Sequence, residues 1–219
     1  AEKEALKWLR REDRSTLIPL LEMVPSAFRN DKSTRAVLDE IAHDVESIWA
    51  PLPAFVDVEH LLRAGVRGVD GSHILEALVH HVRNAHPLLH SKSSLVPVTR
   101  LDPPPEFAGA LSKIIEEDKT GVCVRLSPRD TSRSNFPYRL EALLARLRLD
   151  PLDVDLLIDY RYPTSAAWRP DLKRLSLSLP EISKWRSFIV LMGSFPKDLQ
   201  KYERNQVLAF PQGLRRPTF

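Results

Sequence analysis

The sequence predicts an α/β domain of the (β/α) TIM-type barrel class, with about six of the eight βα units and incomplete at both ends. Three observations predict it. Six short apolar runs recur along the chain, helical-period stretches separate them, and no glycine-rich loop follows the first run.

The runs are Leu17–Val24, Ala54–Val58, Leu95–Thr99, Val122–Leu126, Val154–Asp159 and Ser187–Met192. All are short and nearly continuously apolar, the pattern of strands buried on both faces of a parallel sheet. They begin near residues 17, 54, 95, 122, 154 and 187, so about 27 to 41 residues apart. That is the length of one strand, one crossover helix and two loops.

Between the runs, apolar residues return every three or four positions, as one face of a helix requires. The first set is Val37, Leu38, Ile41, Val45 and Ile48, with Trp49 on the same stripe. The second is Ile74, Leu75, Leu78, Val79 and Val82; the third is Phe107, Leu111, Ile114 and Ile115; the fourth is Leu140, Leu143, Leu144 and Leu147. A weaker stretch covers about residues 171–184. Ser33 or Thr34 is placed to cap the first helix and Ser72 the second, since their hydroxyls accept from free N–H groups of the first turn. Pro104 and Pro105 open the third, where a missing N–H costs nothing.

Six βα units in line require right-handed crossovers and a parallel sheet. An open doubly wound sheet and a closed barrel both satisfy this. The doubly wound nucleotide fold carries glycines after its first strand. Here that loop is Pro25-Ser26-Ala27-Phe28-Arg29-Asn30, and the whole chain has only 7 glycines, which favours the barrel. A barrel has eight strands. Ala5, Leu6, Trp8 and Leu9 read as a helix whose own strand lies upstream, and Leu199 to Phe210 as a further helix or irregular segment. The expectation is therefore one domain over residues 1–219, truncated at both termini, holding barrel strands two to seven.

Composition narrows the function classes. No apolar run approaches the roughly 20 residues of a membrane span, and the longest, Phe188–Met192, has a strand's length. A net charge of +3, from 32 basic and 29 acidic residues of interspersed sign, does not support nucleic-acid binding. Cys123 is the single cysteine, so no internal disulfide forms, which suits the cytoplasm. It sits mid-strand, where it reads as a core residue. The 7 histidines show no His-x-His or His-Glu-x-x-His spacing, so zinc is not indicated. His60, beside Glu59, is the one nearest the expected site. Trp168, in a loop, reads as an anchor or a stacking surface.

In a βα barrel the chemistry sits where strands end. Those positions hold Glu22, Asp57 with Glu59, Thr99-Arg100, Arg125 with Ser127, Asp159-Tyr160-Arg161 and Gly193-Ser194. Glu22, Asp57 and Asp159 are the catalytic candidates. Oxygen ligands of this kind suit Mg²⁺, and two of them suit a general acid and base. Arg100, Arg125, Arg161 and Ser194 are the candidate ligand-binding residues, because guanidinium forks fit phosphate or carboxylate. The alternative is that the acids and arginines neutralise one another as ion pairs. Both alternatives require them to lie close together.

The chain also resembles a known family. Ala5-Leu6-Lys7-Trp8-Leu9, Ile18-Pro19-Leu20-Leu21-Glu22 and Phe55-Val56-Asp57-Val58 are similar to the opening of the beta family, named after a T-even phage beta protein. Val96-Pro97-Val98, Val124-Arg125-Leu126, Leu157-Ile158-Asp159 and Gly193-Ser194-Phe195-Pro196 continue the pattern in order. Arg216-Pro217-Thr218-Phe219 resembles the run before a Gly-Asp-Tyr motif of that family. The resemblance implies a barrel-like fold of bacteria and their phages, associated with mobile elements and phage conflict. It assigns no catalytic residue. Two function classes follow: an interaction or effector component of a phage-defence or mobile-element system, with a protein partner, or a metal-assisted enzyme acting on a phosphorylated, anionic or nucleotide ligand.

Overall fold

The computed structural model describes residues 2–28, 32–85, 93–161 and 182–192, together with 173, 175 and 179. Its first half runs α1 (Glu2–Trp8), α2 (Arg11–Arg14), β1 (Leu20–Glu22), α3 (Thr34–Ile48), β2 (Ala54–Asp57), α4 (Glu59–Arg63) and α5 (Ile74–Asn84). Then follow β3 (Leu95–Thr99), α6 (Pro105–Asp118), β4 (Val122–Leu126), α7 (Pro128–Thr131), α8 (Phe136–Leu147), β5 (Val154–Asp159) and β6 (Ser187–Leu191). The strands hydrogen-bond in chain order, β1-β2-β3-β4-β5-β6, and each pair is parallel. A doubly wound sheet reverses its order part-way. This order never reverses, so each crossover carries the chain one strand onward and the sheet curls into an incomplete barrel.

Strand side chains alternate between two faces, and the two faces bury different residues. On the convex side Val56, Val124, Leu126, Leu156 and Ile158 pack with helix residues such as Leu38, Leu78, Leu111 and Leu140 into one large core. On the concave side Phe55, Val96, Val98, Cys123 and Leu157 form a second cluster, with Leu20, Ile189 and Leu191 against it. The register continues this concave row into Asp57, Arg125 and Asp159, each two residues beyond a concave-face side chain. The apolar cluster is thus the floor beneath a polar rim.

Local chemistry sets the helix ends. Ser33 Oγ accepts from Ala36 N–H at 3.3 Å, as its position predicts. For α5 the expected cap, Ser72, is not the cap. Its hydroxyl donates to Val69 O at 2.8 Å within the preceding tight turn, and His73 Nδ1 accepts from Leu75 N–H at 3.2 Å instead. Gly121 joins α6 to β4 at φ +70°, and a Cβ there would lie 2.0 Å from Asp153 O. Only glycine fits both the left-handed backbone and that approach.

The first strand is shorter than its apolar run. Leu17 and Ile18 are about half exposed, and β1 spans only Leu20–Glu22. The loop after β4 contains the one-turn α7, closed by reciprocal Ser127–Asp130 capping. The segments about residues 171–184 and 199–210 fall wholly or mostly outside the described residues, as do Trp168, Gly193 and Ser194. Among the described residues no helix is long and apolar enough to cross a membrane.

Candidate functional site

The concave row ends in charge. Glu22 and Asp57 stand opposite each other in the β1–β2 register. Arg125 reaches from β4 across the mouth of the barrel. Its Nη1 donates to Asp57 Oδ2 at 2.8 Å and also to Glu22 Oε1, while Nε donates to Asp159 Oδ2 at 2.9 Å. Its Nη2 donates to the same Asp159 oxygen. One guanidinium therefore ties together carboxylates from β1, β2 and β5. Arg100, just after β3, adds a second layer: its Nη2 meets Asp57 Oδ2 at 3.2 Å and also Glu59. Arg63 holds Glu59 from the outer side.

Burial separates the members of this network. The side chains of Asp57, Asp159 and Arg125 are 3%, 8% and 11% exposed, whereas Glu22 is 41% exposed. Burial works to lower the Arg125 pKa, but the hydrogen bonds it donates to Glu22 and Asp159, reinforced by their charges, hold it above the ordinary arginine value. Arg125 is a permanent cation there.

The two aspartates repeat one arrangement. Asp57 Oδ1 accepts from Glu59 N–H at 2.9 Å, and Asp159 Oδ1 accepts from Arg161 N–H at 2.8 Å. In both, Oδ1 holds the backbone two residues on and Oδ2 holds Arg125. Such a turn mimics a backbone turn and fixes the loop that leaves the strand. Every oxygen of Asp57 and Asp159 thus already has a protein donor.

A Mg²⁺ held jointly by Glu22, Asp57 and Asp159 would occupy the space that the Arg125 guanidinium fills. Among the described residues, no group of three or more His, Cys, Asp and Glu side chains is placed to hold a metal ion. The residues present do not fit a cation bound by all three acids.

Arg100 keeps a buried Nη1 with no hydrogen-bond partner. Arg161 is exposed, at φ +53°, and joins the network through its backbone. Ser194 lies outside the described residues. Ser127 is engaged as a helix cap, Thr99 Oγ1 donates to Arg100 O at 3.2 Å, and His60 is exposed on α4. Cys123 is fully buried, and burial pushes its thiol pKa far up, so it is not a nucleophile. Trp49 is core, its Nε1 donating to Pro53 O at 2.8 Å.

A second polar cluster, at the opposite end of the strands, escaped the sequence reading. Asp155 Oδ1 accepts from Arg186 Nε at 3.1 Å and from Ser187 Oγ at 2.6 Å, and Arg186 Nη1 donates to Thr120 O at 2.6 Å. The signal was available: Asp155 interrupts an apolar run two positions before concave Leu157.

A cavity of about 940 Å³ forms an outer groove among α3, α5 and α6, lined by Asp39, His43, Glu76, His80, His81 and Lys113 among others. His81 Nδ1 lies 2.6 Å from Asp39 in it. None of Glu22, Asp57, Arg100, Arg125 and Asp159 lines this groove. The mouth is a pre-tied polar surface that anchors its own loops. A family model described as Beta protein matches residues 1–211 of the chain. No curated protein and no solved structure matches it.

Proposed function

The chain belongs to the Beta protein family, and from that premise we propose that it is a binding component of a bacterial phage-defence or mobile-element system. It acts in the cytoplasm and presents the loops around the barrel mouth to a protein partner. The observation that carries this reading is the full engagement of Asp57, Asp159 and Arg125 by protein groups. Side chains so occupied set loop geometry; they do not meet a substrate. Loops fixed on a rigid scaffold are where barrels place recognition. The phage-conflict setting rests on the family resemblance.

The test is protection against phage in the native host, with cross-linking of the full-length protein. Glu22→Lys and Arg161→Glu reverse exposed charges at the mouth, while Tyr138→Ser alters the exposed outer surface of α8. The mouth variants should lose both protection and the cross-linked partner, and Tyr138→Ser should keep both. Mouth variants that protect normally would end the reading.

One observation favours a second reading, in which the barrel binds an anionic, phosphorylated or nucleotide ligand and acts on it. Arg100 and Glu22 keep 35% and 41% of their side chains exposed at the mouth. There Arg100 receives the anion, Glu22 moves the proton, and the remaining acids and Arg125 hold them in place. Phosphate, nucleotides and Mg²⁺ added singly should then raise the melting temperature, and Arg100→Gln should remove the anion effect. No shift with any of them rejects it.

A further inference from the structure

The outer groove among α3, α5 and α6, about 940 Å³ in volume, has the size of a small-molecule site. Most charges along its walls are paired. Lys113 meets Glu76 at 2.9 Å, and Arg83 meets Glu117 at 2.5 Å. Across the groove His81 Nδ1 lies 2.6 Å from Asp39 Oδ1 and joins α5 to α3. A carboxylate can only accept a hydrogen bond, so Nδ1 carries the hydrogen. The neutral ring is then left with a bare lone pair on Nε2.

That lone pair is reachable. The His81 side chain is 13% exposed and lines the groove. Its Nε2 makes no hydrogen bond among the described residues, and it is not one of the buried side-chain atoms left without a partner. An unmet acceptor that is not sealed off faces open space, and here that space is the groove. The neighbouring His80 differs: its Nε2 lies 3.0 Å from Asn84 Nδ2 and takes that hydrogen.

A free charge stands close by. Arg35, Asp39 and His43 follow one another at four-residue spacing on α3, and all three line the groove. Such spacing puts them on one face of the helix. Arg35 is exposed and makes no ion pair among the described residues. It stands one helical turn from the carboxylate that holds His81. The groove therefore offers an uncommitted guanidinium, which suits an anion, and an uncommitted acceptor, which suits a hydroxyl.

We infer that this groove is a binding site for a small hydroxylated organic anion of about the size of glycerol phosphate. Arg35 holds the anion, His81 Nε2 accepts the hydroxyl hydrogen, and Asp39 is a positioning residue that fixes the ring. The site lies on the outer helical layer and is independent of the mouth described above.

Nitrogen magnetic resonance of the imidazoles and a matched pair of ligands test it. At about pH 8.5, above the range in which imidazoles charge, His81 Nδ1 should resonate as a protonated ring nitrogen and Nε2 as an unprotonated one. His81→Gln identifies the signals by their loss. Glycerol phosphate carries anion and hydroxyls; propyl phosphate has the same skeleton without the hydroxyls. Glycerol phosphate should move the His81 Nε2 signal and bind about tenfold more tightly than propyl phosphate, a ratio that one hydrogen bond supplies. Asp39→Leu releases the ring, and the ratio should fall toward one. Arg35→Gln should weaken both phosphates alike, and Arg100→Gln, at the mouth, should change neither. A hydrogen on Nε2 in the unaltered chain overturns the inference. So do equal affinities, binding of neither phosphate, or a ratio that Arg100→Gln abolishes. If Asp39→Leu does not fold, the ring form and the affinity ratio in the unaltered chain decide alone.

Discussion

Replacing Arg125 by methionine removes the cation at the mouth while keeping most of the side-chain volume. Three carboxylates then lose their shared partner, and two of them, Asp57 and Asp159, are at least nine-tenths buried. Breaking a buried ion pair from one side costs about 3–5 kcal/mol, because the remaining charge is stranded. For a chain of this length that is roughly 6–20 °C in melting temperature. Urea unfolding followed by far-UV circular dichroism measures the free energy. Despite its burial, the carboxylates of Glu22 and Asp159 hold the Arg125 pKa above the ordinary arginine value in the folded state. Its contribution is therefore complete below that value and is lost only as pH rises through the higher folded one, so the arginine itself adds no pH dependence across the neutral range. Arg125→Lys should fall between wild type and methionine, since one ammonium cannot reach acids on β1, β2 and β5 together. Adding Asp159→Asn to Arg125→Met should return about 0.5–3 kcal/mol, the coupling expected of contacting residues. A methionine variant within about 0.5 kcal/mol of wild type, the scale of neutral surface changes, would refute the reasoning that this network fixes the mouth.

His73 gives a pH prediction. Burial lowers its pKa from the ordinary 6.5, against the opposing charges of Glu106 and Glu76 and with help from Arg67. The unfolded chain thus takes up the proton first, so His73 costs no stability above about pH 6.5 and destabilises progressively as pH falls below it. His73→Asn, which keeps a capping acceptor, should flatten the fall in melting temperature between about pH 7 and 5; an unchanged profile contradicts this. Gly121→Ala should destabilise by more than the roughly 1–2 kcal/mol of a left-handed L-residue, because its Cβ meets Asp153 O, and a melting temperature equal to wild type would show that the turn relaxes freely. Ser127→Ala should lose about 1 kcal/mol through the cap of α7 without altering ligand or partner binding. Asp155→Ala should lose about 1–3 kcal/mol by orphaning Arg186 and Ser187.

Strands two to six of the sheet were legible almost to the residue, because a strand buried on both faces has few polar positions to blur its ends. β1 was read too long because Leu17 and Ile18 are apolar without being paired, and an exposed leucine looks the same in sequence as a buried one. α4 and α7 were missed: helices of 5 and 4 residues carry too little period to detect. At the mouth, the meeting of Glu22, Asp57, Arg100, Arg125 and Asp159 followed from strand order alone. What sequence could not give was which partner each atom takes. That Asp57 and Asp159 each turn one oxygen back to the backbone depends on loop geometry, which has no periodic signature. Asp155, at the opposite end of the strands, was legible as a polar break in an apolar run, whereas its partner Arg186 lies in no periodic pattern.

The unreversed strand order carries a consequence for how the molecule assembles. Adjacent strands start about 27 to 41 residues apart, so most sheet contacts are short-range in sequence and can form one after another with little loop entropy. The Arg125–Glu22 contact joins residues 103 apart. It can close only after β1 to β4 have already bent toward each other. Paired labels at those two sites would clock the bending of the sheet separately from the growth of its neighbours.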